Sequence, residues 1–121
     1  MTLLKGNHES CIFCKIIRKE IKASILYEDE SILAFKDIAP KAPVHFLVVT
    51  KTHIESLLKV DASHQALLGH LNLKLAEIAK SQGLGAGFKI MVNTGEKGGQ
   101  EVMHLHYHIL GTATATASAA S

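Results

Sequence analysis

Several residue types that mark particular protein classes are scarce or absent in this 121-residue sequence. It has no tryptophan, two prolines and two cysteines. Two cysteines exclude the disulfide framework on which many small secreted domains depend, and they suit a reducing compartment. No apolar run approaches the length of a transmembrane helix, and the N-terminal residues lack the apolar core of a signal peptide. We therefore expect a cytoplasmic protein without a membrane partner.

A strong excess of charge of one sign is also missing. Thirteen Lys and Arg residues oppose 11 Asp and Glu residues, which gives a formal net charge of +2. The basic residues are scattered singly or in short pairs, so the sequence contains no nucleic-acid-binding arm and we expect no nucleic-acid partner. A small anionic ligand is compatible with this charge balance.

The length and the 47% hydrophobic content indicate one folded domain with a substantial core. We assign residues 1–111 to this domain. Residues 112–121 consist only of Thr, Ala and Ser, and we expect them to form a tail that does not pack.

The hydrophobic pattern predicts a short helix, a long helix and five strands. Ser10 is the expected N-cap of the short helix, whose apolar residues recur at helical spacing over Ile12–Ile17. Asp61 or Ser63 is the expected N-cap of the long helix, which ends before Gly83. The strands are predicted at residues 24–28, 32–36, 44–49, 88–93 and 102–110. This order predicts an α+β fold in which the long helix packs on a five-stranded, mostly antiparallel sheet.

Three histidines occupy alternate positions in the last predicted strand. His104, His106 and His108 share one face of that strand, because successive side chains of a strand point to opposite faces. A buried imidazole without a partner costs about 1–3 kcal/mol, so three in a row indicate a site rather than core packing. The site could ligate a metal or catalyse reactions at a phosphorus or acyl centre. Three rings spread along one strand cannot all lie about 2.1 Å from one zinc ion, which favours catalysis.

A glycine-rich loop directly precedes this strand. Gly98 and Gly99 can adopt the positive φ angles that turn successive backbone N–H groups toward one point. Such a concavity binds anionic oxygen and would place a phosphate beside the imidazoles. The alternative is a loose hairpin loop without a ligand.

Cys11 and Cys14 have the two-residue spacing of a zinc knuckle or a redox pair. One pair supplies half of a tetrahedral zinc site, and His53 with one strand histidine could complete it. The alternative is that two free thiols pack in the first helix. His45 lies in an otherwise apolar strand and is either a partner of the histidine strand or a hydrogen-bonded core residue.

These segments together resemble the histidine triad (HIT) superfamily. The run from His104 to Leu110 is similar to its His-x-His-x-His-x-x signature, in which x is apolar. Segments 12–17, 35–40, 42–49 and 98–102 resemble the Hint branch, the purine nucleoside phosphoramidases. Cys11, Cys14 and segment 51–53 resemble the zinc-carrying, mainly bacterial members. The resemblance covers residues 11–111.

The resemblance implies a fold and an activity. The fold is a HIT-like domain whose sheet joins that of a second copy, so that a homodimer contains one ten-stranded sheet. The activity is hydrolysis of the P–N bond of purine nucleoside 5′-phosphoramidates, derivatives of AMP or GMP, through a covalent nucleotidyl-histidine that needs no cofactor. Two alternatives stay open. One is a nucleotide-binding regulatory or partner-binding module with incidental hydrolase activity, and the other is a dinucleoside polyphosphate hydrolase.

The resemblance also implies residue roles. His106 would be the nucleophile, with His104 and His108 beside it and His45 behind. A neutral imidazole can attack at pH 7 because its ordinary pKa is about 6.5. The expected nucleotide-binding residues are Ile12, Phe13, Phe35, Asp37, Ile38, Asn93, Gly99, Gln100, Glu101, His106 and His108. The expected ligands of a structural zinc ion are Cys11, Cys14, His53 and His104.

The chain departs from the Hint branch at two notable points. Gly111 is followed by Thr-Ala repeats, where the branch usually carries a Gly-Gly-Arg stretch and a tryptophan that reaches the partner's pocket. Glu101 lies beside the expected phosphate, so we expect its carboxylate to turn away or to be paired.

Overall fold

The structure, a computed structural model, describes residues 8–114. Within these residues the helices are α1 (Ile12–Ile17) and α2 (Gln65–Ser81), and the strands are β1 (Ile25–Glu28), β2 (Ile32–Lys36), β3 (Val44–Thr50), β4 (Lys89–Met91) and β5 (His106–Gly111). Single turns of 3-10 helix occupy Leu57–Lys59, Ala62–His64 and Glu96–Gly98. The predicted tail begins at residue 112, and from residue 115 onward it lies outside the described residues.

The described strands form a five-stranded antiparallel sheet in the order β1-β2-β3-β5-β4. β3 and β5 are neighbours, with Leu47 opposite His108 and Val49 opposite His106. The predicted α+β class, the sheet and the order of the elements are confirmed.

The limits of the last two strands differ from the prediction. β5 begins at His106, whereas the pattern predicted a start at Val102. Residues 102–104 bend, and the Leu105 N–H donates to the carbonyl of Ile54 at 2.7 Å instead of continuing the ladder with β3. His104 therefore lies before the strand. β4 is also shorter than predicted, because its pairing with β5 ends at Met91.

Alternation of side chains divides the sheet into two apolar faces. The face that packs against α2 includes Phe46 and Tyr107, and the face that packs against α1 includes Leu47. Burial of each such large side chain stabilises the fold by about 1.5–3 kcal/mol. Since Tyr107 faces α2, His106 and His108 face α1. The shared face predicted for these two histidines follows directly from the strand period.

The helix caps match the prediction in part. Cys11, and not Ser10, is the N-cap of α1, because its Sγ accepts a hydrogen bond from the Cys14 N–H at 3.3 Å. Asp61 caps the 3-10 turn that leads into α2. Gly83 follows α2 with φ +86°, which a residue with a side chain rarely adopts. No helix within residues 8–114 is both long and apolar enough to cross a membrane.

Candidate active site and metal cluster

A cavity of about 640 Å³ lies on the α1 face of the sheet. This volume is in the range of small-molecule sites, about 300–1,000 Å³. The predicted site residues that line it are Ile12, Phe13, Phe35, Asp37, Ile38, His45, Asn93, Gly99, Glu101, His106 and His108. Ile38 is 96% exposed and lies at the mouth, whereas His106 is buried at the inner wall. The structure therefore brings most of the predicted nucleotide-binding residues together.

His106 has one ring nitrogen that is free to react. Its Nδ1 lies 2.7 Å from the carbonyl oxygen of His104, and because a carbonyl only accepts, Nδ1 carries the proton. The Nε2 of the neutral ring then bears a lone pair. Burial lowers the pKa of His106 below 6.5, although donation to the carbonyl and the charges of Asp37 and Glu101 act in the opposite direction. The ring is therefore neutral at pH 7.

His45 and His108 form a hydrogen-bonded pair behind the cavity wall. The backbone N–H of Lys41 donates to His45 Nδ1 at 3.0 Å, which leaves the His45 proton on Nε2. That N–H donates to His108 Nδ1 at 2.9 Å, so His108 carries its own proton on Nε2. Asp37 Oδ2 lies 3.4 Å from His45 Nε2. Burial is the main cause that lowers the pKa of both histidines, so each stays neutral and keeps this tautomer.

The His104 ring, like that of His106, packs against Phe13 of α1, so it lies on the side of the sheet predicted for the three histidines. The His104 side chain is fully buried, and its Nε2 donates to the carbonyl of Thr50 at 2.7 Å. Its Nδ1 lies 3.2 Å from Cys11 Sγ and 3.6 Å from Cys14 Sγ. Burial lowers the pKa of His104 to about 4, so its Nδ1 carries a lone pair directed at the two thiols.

His53 completes a four-residue cluster with His104 and the two cysteines. The candidate ligand atoms all lie within 4.8 Å of one another, and Cys14 Sγ is 3.4 Å from His53 Nδ1. Zn–S bonds of about 2.3 Å and Zn–N bonds of about 2.0–2.1 Å give S···N edges of roughly 3.6 Å in a tetrahedron. Burial raises the pKa of the Cys14 thiol to about 11, and a bound cation would offset the cost of its thiolate. The donor set and the distances fit zinc.

The glycine loop has the predicted positive φ angle at Gly99 but not at Gly98, and three of its backbone N–H groups bond within the loop. Positive φ occurs at Gly95 (+74°) and Gly99 (+84°), and not at Gly98. The N–H groups of Gly98, Gly99 and Gln100 all close turns on the carbonyls of Gly95 or Glu96. They are therefore satisfied within the loop and do not converge on an anion. The prediction of a concavity formed by the Gly98 and Gly99 amides is wrong for this reason.

Comparisons with known proteins place the chain in a family. A family model described as scavenger mRNA decapping enzyme C-term binding matches residues 10–120. Protein HitA of Neisseria gonorrhoeae is 55% identical over 104 residues, which are 86% of this chain and 97% of that protein. The chain belongs to the histidine triad family. The resemblance stated from the sequence is confirmed.

Solved structures agree with this assignment. A HIT family hydrolase from Legionella pneumophila superimposes with a TM-score of 0.83 and 40% identity, over 87% of this chain and 95% of that one. A histidine triad nucleotide-binding protein from Candida albicans gives a TM-score of 0.78 and 29% identity, over 87% of this chain and 76% of that one. The HIT fold predicted from the sequence is therefore shown.

In this histidine triad protein, Gln100 was expected to bind the nucleotide but does not line the cavity. Its side chain is buried and its Oε1 accepts from the Gly95 N–H at 2.8 Å. Its Nε2 donates to the carbonyls of Glu55, at 2.7 Å, and Val102, at 2.9 Å. All three bonds hold the loop, so the side chain has no donor left for a phosphate. The expected direct contact is replaced by a supporting role.

Glu101 and Asn93 lie on the cavity side of the same loop. Asn93 Nδ2 donates to the carbonyl of Gly98 at 2.8 Å, which leaves its Oδ1 available. Glu101 is exposed, and within residues 8–114 its carboxylate makes no ion pair. Glu101 lines the cavity, and of the two expected arrangements, turned away or paired, pairing is not observed within these residues.

Sequence reasoning missed three backbone groups of the histidine triad site, one of which is the His104 carbonyl that holds Nδ1 of His106. The Lys41 N–H fixes the tautomer of His45, and the Thr50 carbonyl fixes that of His104. Backbone donors and acceptors belong to every residue type and leave no signal in a sequence. The position of Lys41 was visible in the sequence. A charged residue between Pro40 and Pro43, in a restrained loop next to His45, is a candidate for a functional contact.

Proposed function

We propose that this protein hydrolyses the P–N bond of purine nucleoside 5′-phosphoramidates through a nucleotidyl intermediate on His106. The carrying observation is the Nδ1–H of His106 held by the His104 carbonyl, since it leaves Nε2 as a nucleophile beside the cavity. Two similar structures support the assignment, because one is named a hydrolase and the other a nucleotide-binding protein.

The reaction proceeds in two displacements. His106 Nε2 attacks the α-phosphorus, and the bond from phosphorus to the amine nitrogen breaks with its electron pair on that nitrogen. The amine leaves neutral when the substrate nitrogen is protonated before cleavage. Water then attacks the same phosphorus, the electron pair of the P–N bond returns to Nε2, and a proton passes to solvent. The products are the amine and the nucleoside monophosphate.

Neighbouring groups stabilise the phosphoryl charge in this proposal. His108 presents its Nε2–H to the cavity because His45 holds its Nδ1. The backbone N–H of Glu101 has no acceptor within the described residues, and it follows the three amides that the loop uses internally. Both donors can therefore bind phosphoryl oxygens, where preorganised hydrogen bonds are most effective.

The nucleoside occupies the rest of the cavity. Ile12, Phe13 and Phe35 form apolar walls between α1 and β2, which suit a purine ring. Asp37 lies between these walls and the histidines, and its Oδ1 accepts from the Ala39 N–H at 2.7 Å. Its remaining lone pairs bind the ribose hydroxyls.

Zinc has a structural role in this proposal. Cys11, Cys14, His53 and His104 would hold it, and the bound ion would tie α1 to the segment before β5. It also fixes the His104 backbone, whose carbonyl orients His106. The chemical steps at phosphorus use only the protein's own groups.

The assembly in this proposal is a homodimer with one ten-stranded sheet. β4 is an edge strand whose three residues are all exposed, including Ile90 at 44% and Met91 at 37%. An exposed edge with apolar side chains favours pairing with another strand. Light scattering on the purified chain tests this, and a monomer at micromolar concentration contradicts it.

The central experiment traps the intermediate. The protein is mixed with an adenosine phosphoramidate, quenched in acid within milliseconds and analysed by intact mass spectrometry. We expect an adduct with the mass of a nucleotidyl group, absent from His106→Ala and present in His70→Ala, whose histidine lies on α2. Normal turnover by His106→Ala would sink the proposal. AMP binding with negligible turnover across several amines would favour a nucleotide-binding module instead.

A further inference from the structure

Lys41 places a positive charge at the mouth of the cavity, and no ion-pair partner for it lies within residues 8–114. The residue is exposed and lines the cavity, and within residues 8–114 no carboxylate lies within 4.0 Å of its ammonium. Pro40 and Pro43 restrain the loop that carries it. Its backbone N–H is tied to His45 Nδ1 at 3.0 Å, so the loop is anchored to the histidine pair.

Lys41 lines the cavity together with His45 and His108. Burial is the largest cause of the lowered pKa of His45 and His108, and the charge of Lys41 lowers the pKa of both further. The charge of Lys41 is therefore present where the reaction takes place.

Besides the histidines, five charged side chains line the cavity: the basic Lys22, Lys36 and Lys41, and the acidic Asp37 and Glu101. Glu101 lies on the glycine loop and Lys41 on the loop that leads into β3, and both line the cavity. An anionic group on the substrate is repelled near Glu101 and attracted near Lys41. Asp37 lies between them and already faces His45 Nε2 at 3.4 Å.

The direction of the reaction sends the leaving group toward Lys41. In a displacement at phosphorus the attacking and departing atoms are roughly in line. His106 attacks from the buried wall, so the departing nitrogen points to the open mouth, where Lys41 is exposed. On the basis of the hydrolase function proposed above, we propose that Lys41 determines specificity by favouring leaving amines that carry a carboxylate. This chemical class comprises amino acids joined to the nucleotide through nitrogen.

The test uses two substrates that differ by one charge. These are the adenosine 5′-phosphoramidates of glycine and of glycinamide, whose amines have nearly the same size. We expect kcat/KM to be about three- to fivefold higher for the glycine compound, the range of an exposed ion pair. In Lys41→Met, the ratio of kcat/KM for the glycine compound to that for the glycinamide compound should approach the ratio of their uncatalysed rates. Lys41→Arg should keep the ratio of the unaltered protein. Lys80→Met, an exposed position on α2, is the matched control.

Salt gives an independent readout of the same interaction. Raising the ionic strength to about 1 M shortens the Debye length to about 3 Å, so the ratio in the unaltered protein should shrink toward that of Lys41→Met. An equal preference in the unaltered protein and in Lys41→Met overturns the role of Lys41.

Failure of the hydrolase proposal is distinguishable from failure of this one. If neither compound is hydrolysed, the hydrolase function is wrong, and the affinity of each compound is then measured by calorimetry. The proteins compared are His106→Ala and the double variant His106→Ala, Lys41→Met. Tighter binding of the glycine compound by about threefold, lost in the double variant, supports the role of Lys41. Equal affinities in His106→Ala contradict it.

Discussion

The Nδ1 of His106 and the carbonyl oxygen of His104 lie 2.7 Å apart, and this hydrogen bond makes the two histidines unequal. The His106 ring keeps its Nε2 for the attack proposed above, while the His104 ring turns its Nδ1 toward Cys11 and Cys14. The backbone of His104 thus orients the side chain of His106. The candidate zinc ligands and the proposed nucleophile are therefore connected through one peptide group.

The pH profile of catalysis should reflect the buried state of His106. Burial lowers its pKa below 6.5, so Nε2 keeps its lone pair at pH values where an exposed histidine is half protonated. We expect the fall of kcat/KM at acid pH to have its midpoint below 6.5, so that more than half of the plateau value remains at pH 6.5. His70→Gln, a control on α2, should show the same fall of kcat/KM at acid pH. A midpoint at or above 6.5 contradicts a nucleophilic neutral His106.

Gly98 and Gly99 provide a matched pair of substitutions in the loop. Gly99 has φ +84°, and a Cβ there would lie 3.1 Å from Asn93 Nδ2, whereas a Cβ at Gly98 would meet nothing within 4 Å. Gly99→Ala should cost about 1–2 kcal/mol of unfolding free energy and displace Asn93, which raises KM for the nucleotide. Gly98→Ala should be tolerated. Urea denaturation and steady-state kinetics check both, and equal effects of the two substitutions contradict the assigned loop geometry.

The two-residue period of a strand was enough to predict on which face of the sheet the catalytic candidates lie. Alternation placed His106 and His108 on one face and Tyr107 on the other, which the structure confirms. That inference needs only local geometry, because neighbouring side chains in a strand must point to opposite faces. The resemblance to the histidine triad superfamily added the cysteine-histidine cluster, since the spacing of Cys11 and Cys14 alone left two free thiols as an alternative.

Long-range backbone contacts account for what the sequence could not predict. His104 leaves the strand because the Leu105 N–H bonds to Ile54, about 50 residues earlier in the chain. Gln100 turns inward because the carbonyl of Glu55 lies within reach of its amide. Neither partner is marked by residue type, since any residue offers a carbonyl. The alternating pattern therefore gave the correct face and the wrong strand start.

Gln100 should support the loop rather than bind the nucleotide. Its amide makes three hydrogen bonds to Gly95, Glu55 and Val102, and Gln100→Ala leaves these groups without a partner. The expected loss is about 1–3 kcal/mol of unfolding free energy, with a lower kcat from a looser loop. Gln100→Glu should be at least as harmful, because a carboxylate cannot donate to two carbonyls. Gln65→Ala, an exposed position at the start of α2, is the control. Unchanged stability with weakened nucleotide binding would show instead that Gln100 contacts the ligand.

Loss of one cysteine should affect the metal, the stability and the activity together. Protein purified without chelators should contain about one zinc ion per chain by elemental analysis, and Cys14→Ser should contain little. Because Cys14 is fully buried, a smaller and more polar hydroxyl in place of its sulfur should cost about 1–3 kcal/mol, which lowers Tm by roughly 4–12 °C in a domain of this size. Turnover should fall because His104, and with it the carbonyl that orients His106, is less well fixed. Ser10→Ala, next to the cluster and exposed, should keep the zinc, the Tm and the turnover. Full activity in zinc-free Cys14→Ser would separate the cluster from catalysis.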